Sequence, residues 1–164
     1  MAFYESEKQA AWFALNELRS KLPELNELDI YLPESSKKNI KEWGTTIYKI
    51  TDSDGGNWYS YHVPYEGEAT HWEPFIKPPQ GATDVSFCHT HPNDAPFSKR
   101  DRTTARGKDS LGDLRCNFYM VTQSGGYCYD GKIEDRLLIE DSLQRVITLW
   151  GLPYPSLCKK YYNK

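Results

Sequence analysis

Ser86-Phe87-Cys88-His89-Thr90-His91-Pro92-Asn93-Asp94-Ala95-Pro96-Phe97-Ser98-Lys99-Arg100-Asp101 is the stretch that decides the fold. The run 84–88 reads as the end of a strand, where successive side chains point to opposite faces. His89 and His91 therefore emerge on the same side. Two imidazoles on one face can grip one metal ion, and a nearby carboxylate completes a three-ligand site with a position left for water. Asp101 is the expected third ligand, and zinc doing hydrolytic work is the expected centre. Ser98 and Asp101 stand three residues apart, on one face of a short expected helix over 98–106 that Gly107 closes.

Working outward, Glu42-Trp43-Gly44-Thr45-Thr46-Ile47-Tyr48-Lys49-Ile50-Thr51 is rich in β-branched and aromatic residues and reads as a strand. Asp52-Ser53-Asp54-Gly55-Gly56 is a turn, and Asn57-Trp58-Tyr59-Ser60-Tyr61-His62-Val63 is the returning strand. The Pro- and Glu-rich stretch 64–81 is a loop with short extended pieces, and 82–91 is the metal-bearing strand. Beyond the helix, 115–122 and 126–130 form a second hairpin around Gln123-Ser124-Gly125.

At the N-terminal end, Ala11, Leu15, Leu18 and Leu22, with Ala14 beside them, make 5–22 an amphipathic helix that Pro23 stops. Residues 24–41 are a connection. Leu138, Leu143, Val146, Ile147 and Trp150 predict a further amphipathic helix over 135–150, after which Pro153 and Pro155 lead into a basic, tyrosine-containing tail. The expected fold class is α/β, a single domain with a central mixed β-sheet flanked by helices. Its core spans about residues 40–130.

Composition agrees with one domain. A chain of 164 residues buries roughly 70% of its unfolded surface on folding. A net charge of -3 supplies no basic footprint, so nucleic acid is not the expected partner. No apolar run approaches the ~20 residues that span a bilayer, and the first residues carry no signal-peptide pattern. The expectation is a soluble, cytoplasmic chain without a membrane. Cys88, Cys116, Cys128 and Cys158 form no C-x-x-C pair and are expected to be buried free thiols. Cys88 would point away from the neighbouring His89, which argues against a thiol nucleophile.

A metallohydrolase also needs a base for the attacking water and a donor for the charge that develops on the carbonyl. Glu42 is the expected base, since it opens the strand pair beside the metal-bearing strand, and Gly44 lets another group approach closely. Glu66, Glu68 and Glu73 compete for that role on composition alone. Ser98 is the expected donor, although Ser98-x-x-Asp101 fits a helix capping box equally well, and both roles can coexist. His62 reads as a strand residue, and His71, beside Trp72, as a loop residue that could line a groove. Arg100 and Arg102 read as solvated helix charges.

Taken together, Glu42-x-Gly44, His89-Thr90-His91-Pro92 and Ser98-x-x-Asp101 resemble the motif of the JAMM metallopeptidases, in that family's order. Six residues separate His91 from Ser98, one fewer than the family's usual spacing. The resemblance implies a JAMM or cytidine-deaminase-like fold with zinc on His89, His91 and Asp101. It also implies that Glu42 works on the water and that Ser98 assists the tetrahedral intermediate. The 42–49 strand, the aromatic return strand, Phe97-Ser98-x-x-Asp101 and Val121-Thr122-x-Ser124-Gly125 are most similar to JAMM-like domains at the C-termini of bacterial polymorphic toxins. That likeness implies a peptidase-like effector delivered from a bacterium into a target cell without a classical signal peptide, with a protein or peptide substrate and a cognate immunity protein. Two other classes stay open: a metal-dependent hydrolase acting on nucleic acid or a nucleotide, and a non-catalytic JAMM-like module that binds protein.

Overall fold

The computed structural model describes residues 2–23, 40–68, 72–74, 77–107, 115–133 and 143–162. Seven strands form one mixed sheet: β1 (Trp43–Thr51), β2 (Asn57–Tyr61), β3 (Tyr65–Glu66), β4 (Ala82–Thr90), β5 (Asn117–Val121), β6 (Gly125–Asp130) and β7 (Val146–Gly151). The spatial order is β2-β1-β4-β5-β6-β7, with β3 pairing the start of β1. Only β4 and β5 run parallel; every other pair is antiparallel. A parallel neighbour needs a crossover, and the segment between β4 and β5 supplies one that carries helix α2 (Lys99–Ala105).

Helix α1 (Glu7–Arg19) covers one face. Ser6 caps it, its side chain accepting from the Gln9 backbone N–H. Its buried stripe is Ala10, Ala11, Ala14, Leu15 and Leu18, which packs on Ile47, Cys88, Tyr119, Val121 and Cys128. Three alanines in that stripe let the helix axis sit close to the sheet. The alternation of strand side chains then sends Phe118, Met120, Tyr127 and Tyr129 to the opposite face. There they pack with Phe97, Ala105, Tyr154 and Leu157, from α2, its approach, and a third helix, α3 (Tyr154–Tyr162).

The architecture is thus α/β with a mixed sheet flanked by helices, as expected. The first hairpin forms over the expected residues, and so does the second within two residues at either end. Residues 24–39 and 134–142 lie outside the described residues, so neither the expected connection nor the first half of the 135–150 helix is addressed.

The second half of that helix is corrected. Leu143–Arg145 form a single 3-10 turn, and Val146–Gly151 form β7. The spacing of Leu143, Val146, Ile147 and Trp150 fits a helix, but Val146-Ile147-Thr148 is a β-branched run, and β6 presents an edge that a strand satisfies. The tail is corrected in the other direction. Tyr154–Tyr162 is helical, with Pro155 in the first turn, where its missing N–H costs nothing. Leu157 is fully buried against the second core.

Candidate metal centre

The register of β1 and β4 builds the site. Gly44 stands directly opposite His89, and the backbone N–H of Trp43 donates to Thr90 Oγ1 at 2.9 Å. Glu42, one residue before β1, is held on both sides of its peptide. Its N–H donates to Glu68 O at 2.9 Å, and its carbonyl accepts from Gly67 N–H at 2.7 Å. Glu42 and Gly44 share a face with His89, on the side away from α1.

His89 and His91 converge as expected. Their Nε2 atoms lie 2.9 Å apart with the rings nearly perpendicular, at 85°. Asp101 Oδ2 is 3.2 Å from Nε2 of His89 and 3.1 Å from Nε2 of His91. Glu42 Oε1 is 3.4 Å from Nε2 of His91. Glu42, His89 and His91 form a buried group whose ligand atoms lie within 4.8 Å of one another, and it could hold a metal ion. Tetrahedral ligands about 2.0–2.1 Å from a zinc ion sit about 3.3 Å apart, so these spacings need only a few tenths of an ångström of adjustment.

The outer nitrogens fix the tautomers. His89 Nδ1 lies 3.0 Å from the carbonyl of Tyr119, and His91 Nδ1 lies 2.9 Å from the carbonyl of Ala95. A carbonyl only accepts, so both Nδ1 atoms carry the proton, and in the neutral rings both Nε2 atoms are bare. Two lone pairs and a carboxylate oxygen packed this closely, away from water, repel one another unless a cation lies among them.

Titration follows the same logic. Burial pushes the His91 imidazolium down, but the hydrogen bond and charge of Asp101 and the charge of Glu42 outweigh it and raise the pKa to about 9. Burial would raise Asp101, yet the two histidines hold its carboxyl well below the usual range. The pocket favours positive charge.

Helix α2 presents Asp101 through a capping box. Ser98 Oγ accepts from the Asp101 backbone N–H at 3.0 Å, and Asp101 Oδ2 accepts from Ser98 N–H at 3.0 Å. Ser98 thus takes the capping role that the sequence left open, beside Asp101. The short loop reaches because it turns tightly: Asp94 donates to His91 O at 3.1 Å with φ at 59°, in the left-handed region. The Asp94 carboxylate then anchors that turn to Ser124, accepting from its hydroxyl at 2.6 Å.

Of the acids weighed for the base, Glu66 faces Lys41 at 3.9 Å and Glu73 pairs with Arg100, whereas the Glu42 carboxylate lies against His91. Arg100 is therefore an ion-pair partner rather than a purely solvated charge. Cys88 is buried on the α1 side, where burial pushes its thiol far up, so it is no nucleophile. All four cysteines are free. His71 lies outside the described residues.

Sequence reasoning missed three parts. The carbonyls of Tyr119 and Ala95 carry no residue signature and could not be read from side-chain types. Trp72 lies over Gly44, so that a Cβ there would collide with its ring. Gly44, whose missing side chain leaves room for that ring, is the one sequence signal for it. No protein-family model, no curated protein and no solved structure matches the chain. Among the described residues no helix is long and apolar enough to cross a membrane.

Proposed function

We propose that the chain is a zinc-dependent hydrolase of the JAMM type that cuts a peptide or isopeptide bond. One observation carries this reading: Nε2 of His89, Nε2 of His91 and Oδ2 of Asp101 stand within 3.2 Å of one another, with both Nδ1 atoms already committed. His89, His91 and Asp101 would hold the metal, because Asp101 approaches both imidazoles more closely than Glu42 approaches His91.

When bound, zinc acidifies a water molecule and polarises a carbonyl. Glu42, held at both ends of its peptide, accepts the proton from the attacking water and returns it to the departing amine. The Ser98 hydroxyl spends its acceptor side on the Asp101 N–H, leaving its own proton to donate to the developing oxyanion. The bond broken is C–N, and water supplies both the new C–O bond and the proton on the amine. The toxin-like effector role and an immunity partner extend this proposal on the strength of the sequence resemblance.

The test is protein purified without chelator, assayed for bound metal, reconstituted with zinc and offered labelled peptides, isopeptide-linked substrates and nucleic acid. Zinc-dependent release of amine from the first or second supports the reading. Turnover of nucleic acid alone replaces it with the nuclease or deaminase class. Failure to bind zinc or a similar ion leaves a protein-binding module.

A further inference from the structure

A strip of unsatisfied polar atoms continues from the metal centre along β1. Among the described residues, Thr46 Oγ1, His62 Nε2, Trp72 Nε1 and Asp84 Oδ1 are buried without a hydrogen-bond partner. Buried polar groups are nearly always satisfied, so four orphans in one place call for an explanation.

Register puts them on one face. Gly44, Thr46 and Tyr48 alternate onto the face that carries His89, because Gly44 stands opposite His89. His62 donates its N–H to Thr46 O at 3.3 Å, and its ring packs on Tyr48 at 5.0 Å. Asp84 stands opposite Tyr48 across β4. Trp72 covers Gly44. His62 Nε2 and Asp84 Oδ1 lie 3.9 Å apart, too far for a hydrogen bond and close enough for one small group to touch both. The side chains are 12% and 27% exposed, Asp84 the more open of the two, while the facing atoms themselves are buried.

We propose that His62, Asp84 and Thr46 form a subsite for a basic side chain of a peptide substrate, an inference that rests on the peptidase reading. An ammonium offers three donors, and this group offers the carboxylate and the hydroxyl oxygen as acceptors, with the His62 ring nitrogen a third whenever it carries no proton. Asp84 supplies the one acid among the four. Burial raises its carboxyl pKa while His62 opposes the rise, so a bound cation would relieve a desolvated carboxylate. Trp72 Nε1 can only donate, and it suits a substrate main-chain carbonyl nearer the metal. Two to four strand residues separate Gly44 from Thr46 and Tyr48, about 7 to 13 Å at about 3.3 Å per residue. An extended peptide covers that span with a side chain two or three residues from the cut bond.

The test titrates the zinc-loaded full chain with N-acetyl-lysine amide and, separately, with N-acetyl-norleucine amide, following the His62 ring and Asp84 carboxyl by NMR. The lysine compound should give saturable shifts at both groups and the norleucine compound none. Asp84→Asn should weaken the lysine response about tenfold or more, with metal content unchanged. His62→Gln, which keeps an acceptor, should retain part of it. In cleavage assays Asp84→Asn should raise KM for lysine-containing peptides about tenfold, leaving kcat and norleucine-containing peptides alone. Equal responses to the two amides, or none, overturn the subsite even where peptides are cut. Selective lysine binding without any cleavage keeps the site and removes the peptidase reading.

Discussion

His89 and His91 turn their Nε2 atoms toward each other across 2.9 Å, while a main-chain carbonyl occupies the far side of each ring. Neutral imidazoles so arranged present two lone pairs to one point, and Asp101 adds a third. Only a proton or a metal ion relieves that arrangement.

The first consequence is metal-dependent stability. The chain should bind about one zinc ion, and at a thousandfold excess over Kd the ion should stabilise it by about 4 kcal/mol. Calorimetry with and without chelator reads the change in Tm. His89→Ala should lose both the ion and the shift, and an unchanged ion content in that variant would remove His89 from the ligand set.

Glu42→Gln keeps the shape of the side chain and removes its charge. Metal content should persist, and turnover should fall by roughly 10²–10⁴-fold. Loss of the ion instead would make Glu42 a ligand, as its 3.4 Å approach to His91 also permits.

The metal-free protein should lose stability as the solution turns alkaline. His91, raised from 6.5 to about 9, contributes fully below pH 6.5 and loses its contribution as pH rises through about 9. Asp101, depressed below 3.8, contributes above that value and loses its share as pH falls into the acid range. Unfolding free energies from urea titrations without metal should hold level from about pH 4 to 6.5 and decline by a few kcal/mol toward pH 9. Saturating zinc should flatten the alkaline limb, because the ion takes the place of the His91 proton. A flat metal-free profile would contradict the charge coupling.

Gly44→Ala tests the floor of the site. The added methyl would meet the Trp72 ring and the Cys88 carbonyl, the latter at 2.8 Å. Overpacking of this kind costs about 1–3 kcal/mol. Pairing it with Trp72→Ala should recover part of the loss in urea titrations, and strict additivity of the two changes would deny the contact.

The sequence made the donors of the centre legible because each is a side-chain type at a diagnostic spacing. Strand alternation set His89 and His91 together, and helical spacing set Ser98 beside Asp101. The partners that orient them were hidden, since Tyr119 and Ala95 act through carbonyls that every residue has. The 135–150 helix failed past Leu143 because a period that fits a helix cannot report an unpaired strand nearby, and β6 claimed Val146–Gly151. Helix α3 was missed because Pro155 reads as a breaker, although a first turn tolerates it.

Asp101 belongs to two structures at once. One carboxylate oxygen closes the start of α2 through Ser98 and also faces both imidazoles. Breaking the Ser98 cap would therefore free a helix end and shift a donor of the centre in one step. Order at the start of the 98–105 segment and occupancy of the centre are thereby linked, so whatever loosens that helix start would loosen the grip on the ion as well.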